Sequence, residues 1–234
     1  MKKSEVKKLL EDNKDPRGMK NWDRLFGNKD GLKSYGIGLT VLRKLAKQVG
    51  KDHLLALRLW DSDYHDMKII AILIDQPERI TREQVEAQVE EVGSGMLSHV
   101  FSSCNAPLAK SPIVLEVVHD WIQNKSDLRR QCAYGLVYEL SKNHTMKELT
   151  NKYFMNCIHR IKKTINEEEN FIRLAMGQAL MGIGKRNKTL NQAALNLAKS
   201  LGPIEYDAGD TQCKPLNIVK HLETRSLEKK FASH

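Results

Sequence analysis

The chain has 234 residues, enough to bury a sizeable core as one large domain or one short helical array, but too few for several ordinary domains. With 41% hydrophobic and 29% charged residues it has the composition of a folded globular protein, which excludes a disordered or fibrous chain. The formal charge of +9 favours a polyanionic partner, nucleic acid or anionic lipid, over a merely solvated basic surface.

Helices are predicted along almost the whole chain. The first 35 residues mix short helical stretches with turn formers, whereas from residue 39 onward apolar residues recur three and four apart. The stripe at 39–49 ends at Gly50, a plausible C-cap, and Thr81 with Gln84 has the spacing of a capping box. About ten further helices are predicted. They span residues 52–60, 64–74, 82–91, 95–104, 113–124, 128–142, 146–165, 170–182, 190–201 and 215–224.

Three of these helices share a pattern, with a polar start, a basic residue and an apolar face rich in small residues. The three segments begin at Asp66, Asp127 and Asn170. Because each helix pair would bury its stripe only by stacking on the next, the repetition predicts an all-α, HEAT-like or ARM-like solenoid with a concave basic groove. An irregular helical globule is the alternative. We expect a repeat domain at 36–224, continuous with an N-terminal helical cap at 1–35, and a flexible tail at 225–234.

The cysteines and the apolar runs argue against export and membrane insertion. The four cysteines have no CxxC spacing, and the amino terminus lacks the apolar stretch of a secretion signal. The longest apolar runs fall far short of the roughly 20 residues that span a bilayer. We therefore expect a reduced, cytoplasmic, monomeric protein, associated with the nucleoid if it binds DNA. No cofactor, metal or membrane partner is expected.

Basic residues recur at the ends of the repeat helices, where stacking would align them along one edge of the groove. Such a row suits phosphates, which with the sugars take half or more of the hydrogen bonds in protein–DNA complexes. Aromatic residues make up only 6% of the chain, which disfavours a platform for single-stranded bases. For the lysine-rich turn at 185–188 a solvated loop is the alternative. The predicted DNA-binding residues are Arg43, Lys44, Arg129, Arg130, Arg173, Lys185, Arg186 and Lys188.

Several short stretches between residues 35 and 222, taken together, match one known protein family. They are Tyr35-Gly-Ile-Gly-Leu-Thr-Val-Leu-Arg-Lys, Leu57-Arg-Leu-Trp-Asp, Arg129-Arg-Gln-Cys-Ala, Asn170-Phe-Ile-Arg-Leu-Ala and Gly202-Pro-Ile-Glu-Tyr-Asp. Together these stretches resemble the AlkD-like HEAT-repeat family of DNA alkylation repair proteins. The resemblance implies stacked helical repeats around duplex DNA and, in active members, hydrolysis of the N-glycosidic bond of cationic alkylpurines.

The resemblance also implies where the catalytic residues would stand. Active relatives use a tryptophan, an aspartate four residues later, an arginine, and a second tryptophan near the last repeat. This sequence has Gly95 and His99 at the first two positions and Gln178 at the last, whereas Arg129 and Arg130 remain. Losing one group that stabilises a transition state typically costs on the order of 10²–10³ in rate. We therefore expect a non-catalytic, AlkF-like branch that grips bent or branched double-stranded DNA through its phosphates.

Other functions stay open at this point. One is an active glycosylase that excises 3-methyladenine or 7-methylguanine in DNA repair, and another is a helical-repeat adaptor for a protein partner. Metal ligation by His99 with Cys104, or by His119 with Asp120, matches no closed-site spacing. The loop at 209–214 resembles a motif of one branch of the family, and we expect it to cap the last repeat.

Overall fold

The structure, a computed structural model, describes residues 1–26, 31–93, 95–204 and 215–232, with the side chains at 25 and 26 left aside. The regular elements of this part are α-helices with short 3-10 turns. Its contacts divide the chain into two compact units, Met1–Ile113 and Val114–His234. The predicted domain boundaries at residues 35 and 224 stay predictions, and the loop at 209–214 lies outside the described residues. Among the described helices, none has both the length and the apolar composition needed to cross a bilayer.

The first unit packs its helices around a single buried one. It contains α1 (Lys3–Glu11), α2 (Pro16–Phe26), α3 (Leu39–Val49), α4 (His53–Trp60), α5 (His65–Ile74), α6 (Arg82–Val89) and α7 (Met96–Ser102). Helix α5 is buried along almost its whole length, and α1, α3, α4 and α7 pack against it. A helix surrounded by neighbours is apolar on every side, which explains the continuous apolar run at 69–74.

The second unit is also organised around one buried helix. It contains α8 (Val114–Trp121), α9 (Asp127–Leu140), α10 (Asn151–Thr164), α11 (Asn170–Gly184), α12 (Lys188–Leu201), α13 (Ile218–Leu222) and α14 (Arg225–Ala232). Helix α11 packs against α9, α10, α12 and α13. The predicted repeat segments therefore include the central helix of each unit, α5 and α11.

Helices α9 and α11 run parallel, as equivalent helices of stacked repeats do. Near their N-terminal ends, Arg130 Nη2 lies 2.8 Å from Glu168 Oε2, two residues before α11 begins. Near their C-terminal ends, a Cβ placed on Gly182 would overlap Ser141 Oγ and the ring of Tyr138. The small residues of this face therefore let the two helices approach closely.

Several helix ends follow the local signals in the sequence. Asp52 Oδ1 and Thr81 Oγ1 each accept the backbone N–H three residues further on, at 3.0 and 3.2 Å. Gly50 ends α3 with φ of 83°, as predicted. The capping box is half formed, because the side-chain amide of Gln84 donates instead to Asp75 Oδ2 at 2.7 Å.

The described part of the C-terminal segment is helical, and the flexibility predicted for residues 225–234 stays a prediction. Helix α14 occupies most of residues 225–234, and Thr224 begins it by accepting the backbone N–H groups of Leu227 and Glu228. Lys230 Nζ donates to the backbone oxygen of Lys185 at 3.0 Å, which ties α14 to the end of α11. The polar composition of this segment reflects a helix on the surface, since its described side chains are exposed or half-buried.

Candidate nucleic-acid interface

Arg130, a predicted phosphate contact, is fully occupied within the protein. Its Nε and Nη2 donate to the Glu168 carboxylate at 2.8 to 3.1 Å, and Nη2 also reaches Asp127 Oδ1 at 2.7 Å. Its Nη1 donates to the backbone oxygens of Asn124 and Lys125 at 2.8 and 2.9 Å. Every N–H group of the guanidinium thus has an acceptor, and the hydrogen bond to Glu168 raises the pKa of Arg130. Arg130 therefore has a structural role in this fold, and its contact with DNA stays a prediction.

Arg186, another predicted DNA contact, closes the C-terminal end of α9. Its Nη1 donates to the backbone oxygens of Leu140, Ser141 and Asn143 at 3.4, 2.7 and 2.7 Å. The guanidinium carbon lies 4.4 Å from the centre of the Phe154 ring. Unpaired carbonyl groups at a helix end carry partial negative charge, so a cation there stabilises the helix. Arg186 therefore also serves the fold, and burial lowers its pKa.

The other two predicted arginines of the second unit have different surroundings. Arg129 is half-buried in the first turn of α9, and its backbone N–H faces Ser126 Oγ at 3.5 Å. Arg173 is half-buried in α11, and its Nε is buried without an acceptor among the described residues. Buried donors nearly always have partners, so Arg173 is the predicted arginine whose Nε is not accounted for by contacts within the described part of the chain.

Cationic side chains gather where α9 and α11 end. Lys142 and His144 follow α9, Lys185 is the C-cap of α11, Lys188 begins α12 and Lys230 lies in α14. We call these five residues the C-terminal cluster. The hydrogen bond from Lys230 to the backbone of Lys185 brings α14 into the cluster. The surface thus collects positive charge from four helix ends.

The charges of the C-terminal cluster repel one another. Burial, and then the charge of Lys142, lowers the pKa of Lys185. Burial also lowers the pKa of His144, and the charges of Arg186 and Lys230 add to this effect. Lys142 has a counter-ion in Glu139, 2.7 Å away. A positive potential that already disfavours protonation would be relieved by a bound anion.

Sequence reasoning finds part of this cluster and misses the rest. Lys185 and Lys188 are predicted from their turn, whereas Lys142, His144 and Lys230 are brought to it by the stacking of α9 on α11 and by α14. One pattern in the sequence points to the C-terminal cluster: a basic residue follows each of the two repeat helices, α9 and α11.

In the first unit, the two predicted DNA contacts lie side by side in α3. Arg43 is half-buried and its Nη2 faces the backbone oxygen of Cys104 at 3.4 Å. Lys44 is exposed. Of this pair, Lys44 presents the more accessible charge.

The positions at which catalytic residues are expected have distinct geometries. Gly95 is the N-cap of α7, with φ of 98°, and a Cβ placed on it would meet open space. One turn later His99 is exposed, and its Nε2 lies 2.6 Å from Cys104 Sγ. In the second unit, Gln178 is half-buried in α11. The aromatic and carboxylate groups of an excision centre are thus absent from these three positions.

Comparison with known proteins identifies relatives along most of the chain. A family model described as DNA alkylation repair enzyme matches residues 6–204. Two uncharacterized proteins, from Listeria monocytogenes and Listeria innocua, are each 25% identical over 202 residues, which is 86% of this chain and 87% of theirs.

One solved structure shares the fold. It represents a new family of proteins related to the HEAT-like repeat DNA glycosylases, with affinity for branched DNA structures. The TM-score is 0.82 at 19% identity, over 98% of this chain and 95% of that chain. The predicted all-α, HEAT-like fold class is thereby confirmed.

Proposed function

Because this chain belongs to the DNA alkylation repair enzyme family, we propose that it binds DNA, holding bent or branched duplexes through their backbone phosphates. The relative with affinity for branched DNA supports this choice of partner. The formal charge of +9 supports a polyanion. The observation that carries the proposal is the C-terminal cluster, in which mutually repelling cations converge from separate helices.

The spacing of basic groups along α11 supports contact with more than one phosphate backbone. Lys185 lies twelve positions after Arg173, which places these residues about 18 Å apart along the helix axis. That distance exceeds the roughly 12 Å width of the major groove. Groups so far apart suit phosphates of different strands or different arms of a junction. Such contacts position DNA without reading its sequence.

Titration of labelled DNA with the protein tests this function. Linear duplex and four-way junction of equal length would be compared between about 50 and 200 mM salt, where each phosphate contact contributes a slope of about −0.9 in log affinity against log salt. The double variant Lys185→Gln/Lys188→Gln should weaken binding to both substrates and flatten the slope by about one to two. Lys8→Gln/Lys20→Gln, exposed lysines of α1 and α2, removes equal charge from the other unit.

The two outcomes against the proposal are distinct. Affinity that barely changes with salt would remove the phosphate contacts and favour a protein-binding adaptor. Equal weakening by the Lys8/Lys20 control would show that net charge, rather than the C-terminal cluster, determines binding.

We also propose that the protein does not excise alkylated bases. Gly95 and Gln178 offer no aromatic face for a cationic base, and His99 cannot act as the anion that stabilises a developing sugar cation. Incubation with DNA containing 7-methylguanine or 3-methyladenine should release no free base above a control without protein. Release above that control would support the glycosylase function instead.

A further inference from the structure

Cys104 and His99 form a close pair at the C-terminal end of α7. His99 Nε2 lies 2.6 Å from Cys104 Sγ, and His99 is exposed while Cys104 is half-buried. Transfer of the thiol proton to Nε2 leaves a thiolate beside an imidazolium, and the thiolate is the nucleophilic form of cysteine. The pair belongs to the first unit and is separate from the C-terminal cluster, which lies in the second.

The backbone after α7 holds the sulfur in this position. The N–H of Ser103 donates to the backbone oxygen of His99 at 2.8 Å, and the N–H of Ala106 donates to the oxygen of Ser103 at 2.9 Å. Between these bonds Cys104 and Asn105 have φ of 56° and 64°, so the chain turns sharply where the helix ends. The turn brings Cys104 against a side chain five positions earlier.

A guanidinium group also lies near this turn. Arg43 of α3 is half-buried, and its Nη2 faces the backbone oxygen of Cys104 at 3.4 Å. A nearby positive charge favours the thiolate over the thiol. Cys104 therefore has the surroundings of a reactive cysteine, since it is partly exposed and lies near basic groups.

The other ionisable groups packed near α7 are engaged or exposed. Helix α7 packs against α5 and against the 3-10 turn Pro107–Lys110, whose lysine is exposed. On α5, burial lowers the pKa of His65, and Lys68 Nζ donates to Glu91 Oε2 at 2.7 Å. Asp66 is 1% exposed, and its carboxylate has three donors. They are Ser34 Oγ and the backbone N–H groups of Tyr35 and Ile37, at 2.8, 2.8 and 3.1 Å. The proton of the Cys104 thiol is thus left to His99.

We propose that Cys104 is a site of oxidation by peroxides, activated by His99. The thiolate sulfur attacks one peroxide oxygen, so that an S–O bond forms while the O–O bond breaks. The leaving hydroxide or alkoxide takes the proton of the His99 imidazolium and departs as water or an alcohol. Sulfur is oxidised to sulfenic acid, and the peroxide is reduced. The inference does not depend on DNA binding.

A peroxide suits this pair better than a metal ion or a large substrate. Closed metal sites take about four ligands, and within the described ranges no group of three or more histidine, cysteine or carboxylate side chains could hold a metal. A half-buried sulfur admits a small reagent. The reaction of a peroxide requires a nucleophile and a proton donor, which are the two groups that this pair supplies.

Treatment of the full chain with hydrogen peroxide tests the site, with dimedone to trap sulfenic acid and mass spectrometry of each cysteine peptide. Cys104 should be trapped faster than Cys132 and Cys157, which are buried. Burial raises the pKa of the Cys157 thiol to about 12, so this cysteine is a matched slow control. Cys213 lies outside the described residues, and its peptide is scored separately.

Replacement of the histidine tests the activation. His99→Gln should slow trapping at Cys104 about three- to thirtyfold near pH 7, where an unpaired cysteine is only a few per cent thiolate. Between about pH 6 and 8 the rate should be nearly constant for the intact pair, but should rise by up to about tenfold per pH unit in His99→Gln as the thiol ionises. His119→Gln, exposed on α8, removes a histidine from the second unit and should leave the rate unchanged.

Four results would overturn the proposal. They are trapping at Cys104 no faster than at Cys132 and Cys157, an unchanged rate and pH profile in His99→Gln, equal slowing by His119→Gln, and the absence of a thiolate signal. The ultraviolet absorbance of the thiolate, measured at neutral pH against Cys104→Ser, reports the ion pair without any reaction. This measurement decides the question even if His99→Gln disturbs the turn after α7.

Discussion

Arg130 and Arg173 stand at the same position of two stacked helices, each four residues after the N-cap, yet their guanidinium groups have opposite surroundings. Arg130 has an acceptor for every N–H group, whereas Nε of Arg173 is buried without one among the described residues. The difference arises because Glu168 lies two residues before α11 and faces Arg130. The same position of the two repeat segments thus holds one arginine that is fixed by acceptors within the fold and one whose Nε has no acceptor among the described residues.

The two arginines should therefore respond differently to removal. Arg130→Leu leaves the nearly buried Glu168 carboxylate without its cation, and we expect a loss of about 3–5 kcal/mol in the free energy of unfolding. Arg173→Leu removes a group that lacks an acceptor and should change stability by less than about 1 kcal/mol. Urea unfolding of both variants measures these values. Equal losses would contradict the assigned roles.

Arg186 should affect stability more than DNA binding. In Arg186→Lys a single ammonium group cannot span the backbone oxygens of Ser141 and Asn143, nor stack flat on Phe154. We expect a loss of about 1.5–3 kcal/mol in the free energy of unfolding. The salt dependence of DNA binding should stay unchanged, since the charge is kept. A flattened salt slope with normal stability would place Arg186 at the DNA instead.

DNA affinity should rise as the pH falls because of His144. In the free protein its pKa is lowered by burial and by the charges of Arg186 and Lys230, so the ring is neutral at pH 7. Phosphates would offset those charges and raise the pKa, so the complex takes up a proton. Between about pH 7.5 and 5.5, affinity should increase by up to about tenfold for each pKa unit gained on binding.

Anisotropy titrations across this pH range measure the effect. His144→Ala should remove the increase, whereas His159→Ala, exposed on α10, should keep it. The folded pKa of His144 lies below its unfolded value, so acid destabilises the free protein; affinities are therefore compared only where unfolding controls show a folded chain. An unchanged pH response in His144→Ala would remove this residue from the interface.

Gly95 should resist substitution because of its backbone. Its φ of 98° and ψ of −139° suit glycine, although a Cβ there would meet open space. We expect Gly95→Ala to lower the free energy of unfolding by about 1–3 kcal/mol. The pair Gly95→Trp/His99→Asp should carry the same cost and release no alkylated base. Thermal unfolding and a base-release assay check both statements, and normal stability in Gly95→Ala would refute the first.

The fold could be predicted because its signals are local. The apolar stripe of α3, the cap at Asp52 and the C-cap at Gly50 each involve residues within a few positions of one another. Helix α14 is not predicted. Thr224 gives a local signal for its start, but the contact that ties it to α11, from Lys230 to Lys185, spans 45 residues.

The candidate site was harder to predict because its partners are distant in sequence. Arg130 reaches Glu168 across 38 residues, and Arg186 reaches Leu140 across 46. A basic residue at a helix end gives the same sequence pattern whether it faces a phosphate of bound DNA or a carboxylate of the protein. Only the stacking of α9 on α11 separates these two cases.

The buried carboxylate of Asp66 bears on how this protein can be divided for experiments. Its three donors come from Ser34, Tyr35 and Ile37, on both sides of the boundary that composition suggests at residue 35. A fragment starting at residue 36 would keep only the bond from Ile37, leaving a buried carboxyl group with most of its hydrogen-bond donors removed. Shortened expression fragments should therefore retain the amino-terminal segment, and amide exchange at Tyr35 and Ile37 should be slow in the intact chain.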